Sequence, residues 1–302
     1  MQAAKTISPP FLKPGDSVGI VAPARKISEE ELLPSVKILE GWGLKVKLGK
    51  HIYSSFHQFA GKDDIRLADF QTMLDDSEVT AIFSARGGYG ALRIIDKLDF
   101  TAFIKHPKWI VGYSDVTVFH SHIHTHTGIE TLHATMPINF EKDEESLALL
   151  KSALFGENLP YTIESNPLNR KGESTGVLVG GNLSLLYALA STPSDIATRD
   201  KILFLEDLDE YLYHIDRMMM QLKRGSKLSH LKGLIVGSFS EMKDNTVPFG
   251  KMAEEIILDA VKEYNYPVCF GFPAGHGNKN HPLFMGRKVN LSVNEKVTVK
   301  FS

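Results

Sequence analysis

Cysteine is nearly absent from this chain of 302 residues, in which Cys269 stands alone. A single thiol excludes an intrachain disulfide framework and suits a reducing compartment. Neither sign of charge is in excess: 34 Lys and Arg face 36 Asp and Glu, for a formal net charge of −2. The basic stripe that a nucleic-acid partner requires is therefore missing. No apolar run approaches the roughly 20 residues of a membrane span. The opening Met1-Gln2-Ala3-Ala4-Lys5-Thr6 lacks the apolar stretch of a signal peptide. With 43% hydrophobic and 23% charged residues, 24 Gly and 14 Pro, there is no collagen-like or disordered bias. What remains is a soluble, cytoplasmic globular protein, long enough for a sizeable core and for two domains.

The first half alternates strand and helix patterns. Asp16–Pro23 reads as a buried strand, and Ser28 with Glu31 three residues on forms a capping box for a following helix. Leu44–Leu48 alternates as a second strand, Leu67–Leu74 is helical, and Val79–Ala85 is a third strand. A short helix over Ala91–Leu98 leads to a strand at Trp109–Val111. This βαβαβαβ order predicts a parallel sheet covered on both faces, with functional residues at the carboxyl ends of its strands. Periodicity weakens between Asn139 and Gly172, which reads as a linker. The division is thus 1–140, a linker over 141–172, and 173–302. The second half holds strands at Gly176–Asn182, Lys201–Asp207, Leu234–Gly237 and Val268–Gly271, with helices at Leu183–Ala190, onward to Lys223, and at Met252–Tyr264. Period-two alternation over Lys288–Lys300 around Asn294-Glu295 is a hairpin.

Several residues have the character of a reaction centre. In Gly112-Tyr113-Ser114-Asp115, a β-branched run ends in a turn and a helix pattern follows at once, presenting the Ser114 hydroxyl beside free backbone N–H groups. The alternative is a plain helix N-cap, and the G-x-S-x-G elbow is not matched. His276, between Gly275 and Gly277, lies on an approachable loop where a base is useful. Glu206 and Asp207 end an apolar strand, and either carboxylate suits an imidazole's ring N–H; pattern does not separate them. Arg86-Gly87-Gly88-Tyr89-Gly90 is no dinucleotide fingerprint, but its amides and that of Asp115 suit a tetrahedral oxyanion. Arg86 itself suits a substrate carboxylate. His120, His122, His124 and His126 offer i, i+4 pairs, yet only Glu130 is near as a further ligand, so no metal site is expected.

Together these blocks, with Gly180-Gly181-Asn182 and Gly271-Phe272-Pro273-Ala274-Gly275-His276, resemble the LD-carboxypeptidases, the muramoyltetrapeptide carboxypeptidase family of serine peptidases. They occur in the family's order over residues 18 to 286. The resemblance implies Ser114 as nucleophile, His276 as general base and Glu206 as the triad acid, with Gly88 and Asp115 amides as the oxyanion hole. It implies Arg86 and Asn182 as substrate contacts, and no cofactor. Arg217 matches a further block, Asp216-Arg217, but on the long helix reads better as an ion pair. The implied fold is α/β: an N-terminal flavodoxin-like or glutaminase-like parallel sheet with a smaller C-terminal mixed domain. The implied activity is release of the terminal D-alanine from cytoplasmic murein tetrapeptides by an L,D cleavage, in cell-wall recycling, by a homodimer. A related branch cleaves peptide-nucleotide antibiotics, and a non-catalytic peptide- or anion-binding protein is the third alternative. Since no metal is invoked, chelators are expected to leave hydrolysis unchanged; loss of turnover in EDTA, restored by a divalent ion, would overturn that.

Overall fold

Five short strands rich in β-branched and aromatic residues build the first sheet of the computed structural model, which describes residues 6–302. Met1–Lys5, most of the segment read above for a leader, lie outside the described residues. The strands are β1 (Ser17–Val21), β2 (Lys45–Leu48), β3 (Val79–Ser84), β4 (Trp109–Gly112) and β5 (Thr131–His133), all parallel and in spatial order β2-β1-β3-β4-β5. Strand order reverses between β1 and β3, where the carboxyl ends open a crevice in doubly wound sheets. Helices α1 (Glu29–Gly41), α2 (Asp63–Asp75), α3 (Thr101–Lys105) and α4 (Thr117–Thr127) make the connections. The Ser28 capping box forms: the Glu31 N–H donates to Ser28 Oγ at 3.2 Å and the Ser28 N–H to Glu31 Oε2 at 2.8 Å. Ala91–Lys97 folds as two tight 3-10 turns rather than the expected helix, the N–H groups of Arg93, Ile94 and Lys97 donating to carbonyls three residues back.

The weakly periodic segment after Asn139 is not featureless. It carries α5 (Glu144–Leu154), capped by Asp143 accepting the Ser146 N–H at 2.8 Å, and β6 (Tyr161–Glu164). The second sheet follows with β7 (Gly172–Asn182), α6 (Leu183–Leu189), β8 (Lys201–Leu208), α7 (Leu212–Arg224), β9 (Gly233–Ser240), α8 (Ala253–Ala260) and β10 (Val268–Cys269). Next come β11 (Leu283–Met285), then β12 (Lys288–Val293) and β13 (Lys296–Phe301), the expected hairpin. Its order is β10-β9-β8-β7-β12-β13-β6, parallel through β7 and antiparallel beyond. The short β11 lies outside this sheet and pairs antiparallel with β5, making a sixth strand of the first. One buried apolar cluster spans both sheets, taking Phe83 and Leu132 from the first and Phe204 and Ile235 from the second.

The histidine-rich α4 is the seam between the sheets. His126 Nε2–H donates to the Pro193 carbonyl, His122 Nδ1 meets Ser194 Oγ at 2.9 Å, and Lys201 Nζ donates to His124 Nε2 at 2.9 Å. His120 Nε2–H donates to the Gly112 carbonyl at 2.9 Å, and burial pulls that ring down to about 4. His122, His124 and His126 thus serve as interlayer contacts, while His120 ties α4 to its own sheet.

A buried cation caps the end of α2. Lys108, 1% exposed, donates to the carbonyls of Met73, Leu74 and Asp76, the end of α2, at 3.0, 3.0 and 2.6 Å. Burial pulls its amine down to about 8. Lys108→Met fills the volume but strands three carbonyls, so unfolding in urea should show a loss of about 2–3 kcal/mol; an unchanged midpoint would refute the capping role.

Candidate active site

Strand β4 ends at Gly112, Tyr113 stays extended, and the chain then turns sharply at Ser114 with φ of +62°. A non-glycine residue at positive φ is strained, by about 1–3 kcal/mol, and persists only where its surroundings hold it. Ser114 opens a 3-10 turn that runs directly into α4, and its side chain caps nothing. The N-cap alternative is therefore not realised, and the hydroxyl stays half-buried and uncommitted among the described residues.

The Arg86–Gly90 turn after β3 lies against this elbow. A Cβ added at Gly87 would stand 2.9 Å from Ser114 Cβ and 3.1 Å from its Oγ, so only glycine permits the approach. The two turns are tied by Asp115, whose Oδ2 accepts the Ala91 N–H at 2.8 Å. Burial pushes this carboxyl up to about 7, against the opposing pull of the Ala91 amide and Arg66. Asp115 is thus a structural strut through its side chain, while its backbone belongs to the Ser114 turn.

From the other sheet, β8 brings Glu206 to the same place, fully buried. Its Oε2 lies 2.6 Å from His276 Nδ1, leaving Nε2 as the open nitrogen of the ring. Burial opposes charge on this imidazole, but the Glu206 carboxylate outweighs it through charge and hydrogen bond, and the pKa rises above its ordinary value. The loop around His276 is pinned: Gly275 N–H donates to Asn280 Oδ1 at 2.9 Å, Gly277 N–H to Ser238 Oγ at 2.8 Å, and Lys142 Nζ to the Gly277 carbonyl at 2.9 Å. The His276 ring packs on Tyr113, the residue before Ser114, with centroids 4.7 Å apart. Ser114 and His276 themselves make no direct hydrogen bond among the described residues.

The geometry separates the two acids that pattern left equal. Asp207 turns away from His276 and accepts from Asn182 Nδ2 at 2.9 Å, the Ser184 N–H at 2.9 Å and Ser184 Oγ at 2.8 Å. Burial and the neighbouring Glu206 push its carboxyl up to about 6. Asn182 is in turn committed: its Oδ1 caps α6 by accepting the Leu185 N–H at 3.2 Å, and its N–H donates to Thr117 Oγ1 at 3.0 Å. Arg86 Nη1 lies 3.2 Å from the Lys26 carbonyl and 3.6 Å from Glu31 Oε1, lining a cavity of about 520 Å³ with Ser28, Glu29 and Tyr53. Arg217 lies over the Tyr213 ring at 5.1 Å instead of forming the expected ion pair. Asp143, Glu145 and His281 are the group of His and carboxylates near enough to share an ion, but the Lys279 ammonium already sits on Glu145. Sequence reasoning passed over Tyr113, Ser238, Asn280 and Lys142, whose roles appear only when the two sheets meet.

Models of two family domains match this chain: the LD-carboxypeptidase N-terminal domain over residues 18–134 and the LD-carboxypeptidase C-terminal domain over 175–291. The chain belongs to the LD-carboxypeptidase family. Membership makes it a hydrolase of the carboxypeptidase kind. A probable murein peptide carboxypeptidase of Bacillus subtilis is 40% identical, over 96% of this chain and 93% of that one. The murein tetrapeptide carboxypeptidase of Pseudomonas aeruginosa is 28% identical, over 92% and 93%. Among solved structures, the muramoyltetrapeptide carboxypeptidase of Oxalobacter formigenes superposes with a TM-score of 0.85 at 26% identity, covering 95% of this chain and 98% of the other. The microcin C7 self-immunity protein MccF shares the fold, with a TM-score of 0.87 at 20% identity over 97% of each chain. No helix among the described residues is long and apolar enough to cross a membrane.

The elevated His276 pKa depends on Glu206. In Glu206→Gln the charge is gone and burial dominates, so the ring's titration by NMR should move down in pH; an unmoved midpoint would show that another group holds the proton.

Proposed function

We propose that the protein is a serine carboxypeptidase that removes the terminal D-alanine from murein tetrapeptides, acting in the cytoplasm on cell-wall fragments. The observation that carries the reading is the 2.6 Å bond between buried Glu206 and His276, with Nε2 left open on a ring that packs against Tyr113, the neighbour of the strained Ser114. A free serine hydroxyl is a poor nucleophile and needs a base within reach. His276 Nε2 takes the Ser114 proton as Oγ attacks the carbonyl carbon of the scissile bond. Glu206 fixes the tautomer and stabilises the imidazolium that forms. The amides of Asp115 and Gly88 receive the oxyanion, each such donor contributing about 10²–10³ in rate. The intermediate collapses, the C–N bond breaks, and His276 returns the proton to the departing D-alanine amine. Water, deprotonated by the same ring, then hydrolyses the acyl-serine ester and frees Ser114.

The relatives named for murein peptides, at 28 and 40% identity over nearly the full chain, support this substrate over an antibiotic nucleotide. Arg86 and the acidic residues lining its cavity, Glu29 and Glu31, offer a polar site beside the centre for the rest of the peptide.

Ser114→Ala should cut D-alanine release from L-Ala-γ-D-Glu-diaminopimelate-D-Ala by about 10⁴-fold or more, with an unchanged circular dichroism spectrum. Turnover near the wild-type rate in that variant would remove Ser114 from the mechanism. Release of a terminal L-residue as fast as the D-residue would defeat the L,D assignment.

A further inference from the structure

Resting on the carboxypeptidase reading above, we infer that Arg25 is the residue that recognises the free carboxylate at the substrate's C-terminus. Arg25 follows β1 and Gly88 follows β3, so the pair stands at the reversal of strand order, where open α/β sheets receive ligands. The arginine's stem lies directly on the oxyanion turn. A Cβ added at Gly88, which has φ of +114°, would fall 2.2 Å from Arg25 Cδ and 2.3 Å from Cγ. The methylenes fill the space where any other residue would carry its side chain. Any other residue here would have to displace the arginine stem, besides adopting a positive φ.

The backbone of Arg25 is held on both sides. It pairs with Phe59 across an antiparallel bridge, flanked by the Ala60 N–H donating to the Ala24 carbonyl at 3.0 Å and the Lys26 N–H to the Gln58 carbonyl at 3.1 Å. Its guanidinium, in contrast, is exposed and has no hydrogen bond or ion pair among the described residues. Most other cations around the turn are occupied, the exception being Lys26, which lines the Arg86 cavity and whose ammonium has no partner among the described residues. Arg66 and Arg93 both bind Asp63, Arg86 binds the Lys26 carbonyl and approaches Glu31, and Lys142 holds the Gly277 carbonyl. Five donors in a fixed fork are therefore left unspent on one side chain beside the oxyanion turn.

A C-terminal residue places its carboxylate within about 3–4 Å of the scissile carbonyl carbon, one residue away along the chain. With the carbonyl oxygen directed at the Gly88 and Asp115 amides, the carboxylate comes within reach of the fork at the end of the stem that covers Gly88. A bidentate Arg–carboxylate pair there favours a free terminus. A peptide that continued past this residue would offer a neutral amide and leave the guanidinium unpaired, which is discrimination between exo- and endo-cleavage. The sequence pointed to Arg86 for this task, but its guanidinium is turned to Glu31 and the Lys26 carbonyl.

The test is a cycle over enzyme and substrate, comparing kcat/KM for the tetrapeptide as free acid and as C-terminal carboxamide. Wild-type enzyme should prefer the free acid by about 10- to 100-fold. Arg25→Ala should lose this preference, becoming equally slow on both, and Arg25→Lys should keep part of it as a point charge. Thermal melts of each variant check folding independently. Arg25→Ala retaining the wild-type preference would overturn the assignment, as would loss of the preference in Arg86→Ala instead. A wild-type enzyme that neither cleaves nor binds the free acid would strike the function reading itself and take the role of Arg25 with it.

Discussion

A carboxylate removed from water must be paired or surrender its charge, and Glu206, with no solvent exposure, meets that demand through His276 at 2.6 Å. The position of everything else at the centre follows from this pairing. Glu206 is fixed on β8 of the second sheet, whereas the Ser114 elbow belongs to β4 of the first. The imidazole must therefore be delivered to the boundary between sheets by a loop rigid enough to hold it. Asn280, Ser238 and Lys142 supply that rigidity by binding the backbone on either side of the ring. Behind it, His133 and Phe204 meet edge to face at 5.0 Å, and burial keeps the His133 ring well below its ordinary pKa. Water is thereby kept from the floor of the site, which strengthens the Glu206–His276 interaction.

The elbow has its own support. Strain at Ser114 is tolerable because the turn is clamped from two directions: Gly87 presses on the serine, and the Asp115 carboxyl grips the Ala91 amide. The same residue that lends its backbone N–H to the proposed oxyanion hole uses its side chain to hold the facing turn. Positioning and chemistry are combined in one position, which explains why a buried acid stands immediately after the serine.

Much of this was legible in the residue order. The β1-to-β4 alternation, the Ser28 capping box and the terminal hairpin rest on local periodicity and local hydrogen bonds, and local signals survive in a linear string. The choice between Glu206 and Asp207 came from the family resemblance and was not legible in the residue pattern, because adjacent strand residues point to opposite faces and only the packing decides which face meets His276. Helix α5 was overlooked although Asp143, Glu144 and Glu145 carry a cap and an acidic first turn, since the flanking Pro and Asn residues masked its periodicity. The two-sheet role of the α4 histidines needed partners some 70 residues away, Pro193, Ser194 and Lys201, which no spacing rule reaches. β11, at three residues, is too short for any pattern.

That three-residue strand has a bearing on the protein's handling. It comes after the His276 loop in the chain yet completes the sheet that carries the serine, pairing Leu283–Met285 with Thr131–His133. The two family domains that divide the sequence therefore do not divide the folded object: cut between residues 134 and 175, the first piece would be left with a bare edge at β5. The halves are consequently not exchangeable cassettes. Recombining an N-terminal half with a foreign C-terminal half would have to supply a matching edge strand along with the His276 loop.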